Sequence, residues 1–106
     1  MIIVYVVCRD RDEARRIGRL LVERWLAACT NLFPIESFYW WQGEIVEDNE
    51  HVLLAKTRPE CYESLAAAVK SVHSYSVPAI IRLPVIDADR QYLAWLQAET
   101  QGCDAG

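Results

Sequence analysis

Ile2 to Cys8 is an unbroken apolar run rich in β-branched residues, a pattern that predicts a central strand. Asp10 follows as a helix N-cap, with Glu13 three residues on at capping-box spacing. Ala14, Ile17, Leu21, Trp25 and Ala28 then recur at helical spacing, which predicts a helix ending near Ala28. Gly18 inside it suits close packing on a sheet. A second strand is expected from about Cys29 to Gln42, bent or interrupted at Pro34. Gly43 marks a turn. A third strand is expected from about Glu44 to Thr57, with Glu47-Asp48-Asn49-Glu50 as a bulge or kink and Val52 to Ala55 as its core half. Thr57 and Glu60 have the spacing of another capping box, and Pro59 suits a first helical turn. Tyr62, Leu65, Ala66, Val69 and Val72 form the next helical stripe. Val77 to Ile86 reads as an edge strand, with Pro78 and Pro84 near its ends. Asp87 or Asp89 then caps a short helix carrying Tyr92, Leu93 and Leu96.

The order is β-α-β-β-α-β plus a C-terminal helix. This is an α+β, ferredoxin-like arrangement with an unusually long hairpin between its second and third strands. The length fits one domain over residues 1–100, with 101–106 as a flexible tail.

The hairpin carries the most informative residues. Successive strand residues point to opposite faces. Tyr39 and Trp41 therefore share one face, and Phe38 and Trp40 share the other. A strand that covers one core needs only one apolar face. The surplus face predicts a second protein surface, and so an oligomer whose hairpin docks on its neighbour.

Composition narrows the function. Hydrophobic residues make up 53% of the chain, against disorder, and the net charge is −4. The arginines between Arg9 and Arg24 are interleaved with acids, as on a solvated helix face. Nucleic acid is not an expected partner. No run reaches the roughly 18 apolar residues of a membrane span, and the apolar opening lacks the marks of a signal peptide. A cytoplasmic protein follows as the default. The four cysteines, Cys8, Cys29, Cys61 and Cys103, are widely spaced with no C-x-x-C, and free thiols are expected. Cys61 and Cys103 look incidental.

The topology brings the end of the first strand, the hairpin tip and the loop His73 to Ser76 to one end of the sheet. Cys8 and His73 thus become a possible thiolate–imidazole pair. Such a pair suits copper or zinc, or a nucleophile with its base. A buried cysteine and a helix-capping histidine explain the same two residues without chemistry. His51, beside Glu47, Asp48 and Glu50, is expected on a solvated acidic hairpin. No Gly-rich phosphate loop or nucleophile elbow is present in the sequence.

Five motifs then stand in one order: L-A-A-C-T-N from Leu26 to Asn31, Y-x-W-x-G at Tyr39, Trp41 and Gly43, K-T at Lys56 and Thr57, H-x-Y-x-V-P-x-I from His73 to Ile80, and Y-L-x-W-L from Tyr92 to Leu96. In these the chain resembles the CutA family, named for divalent-cation tolerance, from Ile2 to about Glu99. The resemblance implies a compact homotrimer assembled through the long hairpins, much like the PII signalling proteins. It implies copper-type binding of Cu(II) or another divalent transition metal, with ligands that carry over to Cys8 and His73. It places Phe38, Tyr39, Trp40, Trp41, Lys56 and Tyr75 at the trimer interface and cleft. Three positions depart from the family pattern. Val72 stands where some relatives have a second histidine. Ala79 replaces a common acid. Ser74 replaces a common proline, which should loosen the loop.

The leading expectation is a homotrimeric divalent-cation-binding protein involved in metal tolerance or response, and not an enzyme. The alternative is a PII-like sensor or scaffold that binds a metabolite or partner protein in the intersubunit cleft. An enzyme with Cys8 as nucleophile ranks last, since no orienting acid or oxyanion donors are visible.

Overall fold

The chain builds β1 (Ile2–Cys8), α1 (Arg11–Glu23), β2 (Cys29–Trp41), β3 (Glu44–Thr57), α2 (Tyr62–Val72), β4 (Ile80–Pro84) and α3 (Arg90–Ala98), with short 3-10 turns at Pro59–Cys61 and Gln101–Cys103. This computed structural model describes residues 1–103. The part of the expected tail beyond Cys103 lies outside the described residues. The strands form one antiparallel sheet in the order β2-β3-β1-β4, which is the ferredoxin-like α+β topology.

The apolar opening run is central, as its composition predicts. Ile2, Val4, Val6 and Cys8 point to the helices and pack with Leu53, Ala55, Ile17, Leu21, Leu65 and Val69. Burying each large side chain contributes about 1.5–3 kcal/mol. Gly18 lets α1 approach closely, since a Cβ there would lie 3.0 Å from Leu53 Cδ1 and from Thr30 Oγ1. Residues opposite one another in a ladder share a face. Ile3, Tyr5, Val7, Leu54, Phe33, Ile81 and Leu83 therefore share the other face of the sheet. Phe33, Ile81 and Leu83 remain exposed there.

The hairpin outruns the sheet. Cys8 pairs with His51, so the ladder from Ile35–Glu50 to Trp41–Glu44 projects past the end of β1. Gln42 and Gly43 close it with φ of 51° and 83°, two left-handed residues that match the twist of a tight hairpin.

Several expectations are corrected. α1 ends at Glu23, and Trp25, at φ 60° and half exposed, lies in the turn rather than on a helical stripe. β2 runs through Pro34 without interruption, because it is an edge strand whose outer amides need no partner. The acidic stretch keeps register with no bulge. β4 is shorter than Val77–Ile86. Thr57 caps no helix; its buried hydroxyl donates to Leu26 O at 2.6 Å. Of the four cysteines only Cys8 and Cys29 are free, since Cys61 and Cys103 form a disulfide. The free-thiol expectation failed because residues distant in sequence meet where the C-terminal turn folds back on the start of α2. Of the two cap candidates for α3, Asp89 is the one that accepts from Tyr92 N–H, at 3.0 Å.

Candidate metal centre and the adjoining groove

Three elements end at one place. Cys8 closes β1 on the core side, Glu13 stands in the first turn of α1, and His73 caps the C-terminus of α2. A sulfur, a carboxylate oxygen and an imidazole nitrogen from these residues lie within 4.8 Å of one another. The sheet topology thus joins Cys8 and His73, as expected, and adds Glu13.

Glu13 organises the site. Its side chain is fully buried, yet its carboxylate accepts from Arg9 N–H at 2.9 Å and from Ser74 N–H at 2.9 Å. Burial alone would raise its pKa; the hydrogen bonds from Arg9 and Ser74, with His73 nearby, outweigh it and hold the carboxyl below its usual range. The sequence pattern placed Glu13 in a capping box, and Asp10 does accept from Glu13 N–H at 2.9 Å. The returning bond goes to Arg9 instead, which turns the carboxylate inward. The Ser74 expectation is also corrected. A proline has no N–H to give Glu13, so serine ties this loop down where loosening was expected.

His73 is sealed on both sides. Nε2–H donates to Val7 O at 2.8 Å, and Nδ1 accepts from Tyr75 N–H at 3.0 Å. These partners place the ring proton on Nε2 and the lone pair on Nδ1. Nδ1 lies 3.9 Å from Glu13 Oε1. Burial, and then the charges of Glu13 and Asp10, push the Cys8 thiol up to about 12. It is therefore a protonated thiol at neutral pH, not an activated nucleophile. Thiolate, imidazole and carboxylate together suit a borderline divalent transition ion. Such an ion would have to displace the thiol proton and take a ring nitrogen from its hydrogen-bond partner.

A groove of about 870 Å³ opens beside this cluster, between the hairpin and the loop after α2, and Phe38, Tyr39, Trp41, Glu50, Tyr75 and Val77 help to line it. Tyr75 Oη donates to Glu50 Oε2 at 2.6 Å, and Tyr39 Oη to Asp48 Oδ2 at 3.4 Å. Burial and the neighbouring Glu50 carboxylate raise the Tyr75 phenol, so it stays protonated. Glu50 is only 5% exposed, against the expectation of a solvated acidic patch. Its signal in the sequence was phase: it shares a face with Val52 and Leu54. His51 is half-buried, opposite Cys8. Phe38 and Trp40 lie on the other face of the overhang, 67% and 72% exposed. Lys56 stands apart, at the far end of the face that carries Glu50, about 20 Å away by strand rise. Val72 is partly exposed and outside the cluster, while Ala79 lines the groove.

Residues 2–99 match the model of the CutA1 divalent ion tolerance protein family. The divalent-cation tolerance protein CutA of Pyrococcus horikoshii is 44% identical over 101 residues, covering 95% of this chain and 99% of that protein. Its counterpart in Thermus thermophilus is 43% identical, covering 92% and 96%. A crystal structure of a variant of the Pyrococcus horikoshii CutA1 superposes with a TM-score of 0.92 at 44% identity, over 94% of this chain and 98% of the other. The PII-like protein CutA from Nostoc sp. PCC 7120 superposes with a TM-score of 0.89 at 31% identity, over 94% and 97%. Sequence and fold agree along nearly the whole chain, and it belongs to the CutA1 divalent ion tolerance protein family.

Proposed function

We propose that this chain is a homotrimeric, cytoplasmic divalent-cation-binding protein, one domain over residues 1–100, that takes a copper-type ion at Cys8 and His73 with Glu13 as a third ligand. The observation that carries the reading is the convergence of three donor types within 4.8 Å at the end of the sheet. The trimer is supported by the exposed aromatic overhang, Phe38, Trp40, Trp41 and Ile45, and by Phe33, Ile81 and Leu83 uncovered on the sheet face. Phe38, Tyr39, Trp40 and Trp41 would form the interface, with Tyr75 in the cleft. Lys56 would reach a cleft only across a subunit boundary. No helix among the described residues is long and apolar enough to cross a membrane. The raised Cys8 thiol speaks against a cysteine enzyme.

Each ion bound through Cys8 releases the thiol proton, so affinity should rise about tenfold per pH unit across the neutral range. Calorimetric titration of Cu(II) tests the reading. Saturable binding near one ion per subunit is expected, lost in a Cys8→Ser, His73→Ala double variant. Binding unchanged in that variant would sink it.

The groove favours a second reading, a PII-like sensor or scaffold, because its volume and aromatic walls suit a small metabolite or a partner's side chains. A metabolite screen by thermal midpoint in which no compound shifts the wild type would remove it.

A further inference from the structure

The last described turn of the chain is fastened to the body by several bonds. Cys103 is disulfide-bonded to Cys61, across 42 residues, with the Cα atoms 5.2 Å apart. The Arg58 guanidinium donates to Thr100 Oγ1 at 2.9 Å and to Thr100 O at 2.7 Å. Gly102 N–H donates to Trp25 O at 2.9 Å. Gly102 leaves no room for a side chain. A Cβ there would lie 2.9 Å from the Trp25 carbonyl carbon and would collide with Arg24 O. Trp25, in turn, is held at φ 60°, a region that bulky residues rarely occupy. The segment Thr100 to Cys103 thus braces the strained turn that follows α1. Beside that turn, Trp25 and Trp95 line an apolar hollow of about 400 Å³.

We propose that Cys61–Cys103 is a redox clasp, closed and opened by thiol–disulfide exchange at Cys103 with a small disulfide or thiol of the glutathione class. Access sets the point of exchange. Cys61 is fully buried and Cys103 is partly exposed, so an outside reagent reaches Cys103. Arg58 adds a chemical bias. Its Nη2 lies 3.3 Å from Cys103 Sγ, and a cation there favours the thiolate once the bond is open.

Closing runs in two balanced steps. The Cys103 thiolate attacks one sulfur of the small disulfide, forming a mixed disulfide and expelling one thiolate. The Cys61 thiol then gives up its proton and attacks Cys103 Sγ, expelling the second. Two protein thiols are oxidised to one disulfide, and one small disulfide is reduced to two thiols. Opening is the reverse, beginning with attack of a small thiolate on Cys103 Sγ. In the cytoplasmic setting proposed above, thiols are kept reduced. The clasp then rests open, and oxidation fastens the turn at Cys103 and stiffens the Trp25 turn.

The test uses the full chain, oxidised with glutathione disulfide or reduced with dithiothreitol. The oxidised form should be about 2 Da lighter, two hydrogens, and after unfolding should alkylate at Cys8 and Cys29 only. Its thermal midpoint should be higher by about 10 °C, since the bond closes a long loop. Amide exchange at Gly102 should slow at least about tenfold on oxidation. Cys103→Ser, at a partly exposed site, should fold and lose all four responses. Four alkylatable thiols in the oxidised wild type would overturn the proposal. So would an oxidation-dependent rise in midpoint that persists in Cys103→Ser.

Discussion

The end of β1 and the overhanging hairpin are neighbours built on opposite terms. Around Cys8, the Glu13 carboxylate holds two backbone amides and both His73 nitrogens are engaged. Among the described residues, no buried side-chain nitrogen or oxygen lacks a hydrogen-bond partner. On the overhang, Phe38, Trp40, Trp41 and Ile45 stand exposed. The first region is finished within one chain; the second leaves large apolar side chains that this chain does not cover. The difference separates two kinds of function. A ligand at Cys8 must compete with bonds already made, whereas a partner on the hairpin meets no such competitor. Tyr75 joins the two, giving its N–H to His73 and its hydroxyl to Glu50.

The strongest way to break the comparison is Glu13→Ala. It removes the fully buried carboxylate that accepts from the Arg9 and Ser74 amides, at a cost of about 2–4 kcal/mol. A urea midpoint close to wild type would show that the closed region is not held by Glu13. The pH dependence carries the same signature. The Glu13 carboxyl is held below its ordinary value of 4.5, so its stabilisation is present above that pH and lost as pH falls through the folded value. The Cys8 thiol runs the other way. Raised from 9.0 to about 12, it favours the fold below pH 9 and ceases to do so as pH rises toward 12. Glu13→Ala should flatten the acid limb and leave an alkaline one.

These two regions were not equally legible in the sequence. Strand order, the hairpin and its surplus aromatic faces follow from period and turn chemistry, which are local. The meeting of Cys8 and His73 follows from topology, since both end elements at the same side of the sheet. What escaped was set by where side chains turn once packed. Glu13 has the spacing of a cap and a second role beyond it. Glu50 sits in an acidic run, yet its phase puts it on the face of Val52 and Leu54. The Cys61–Cys103 bond depends on a C-terminal fold-back that no local pattern encodes. Trp25 has helical spacing, but the helix stops before it. Three backbone N–H groups, from Arg24, Leu26 and Ala27, bond back to the carbonyls of Leu20 and Leu21 and close the last turn early.

The smallest expected effect sharpens the comparison most. Tyr75→Phe removes only the hydroxyl that meets Glu50 at 2.6 Å. It should cost about 1–2 kcal/mol, because a largely buried carboxylate loses its donor. Alone, that number says little about whether the two regions are separate. Combined with Glu13→Ala it forms a cycle. Glu13 holds Ser74 N–H, and the next amide, Tyr75 N–H, holds His73, so one short loop serves both networks. If that loop transmits strain, the two losses should differ from their sum by about 0.5 kcal/mol or more. If the losses add, Tyr75 is a shared wall and not a link. A metal at His73 could then be bound without any consequence for the groove. A non-additive cycle has the opposite meaning. Freeing Nδ1 from Tyr75 N–H would also loosen the phenol that covers Glu50, and an ion at the closed region would be felt in the open one.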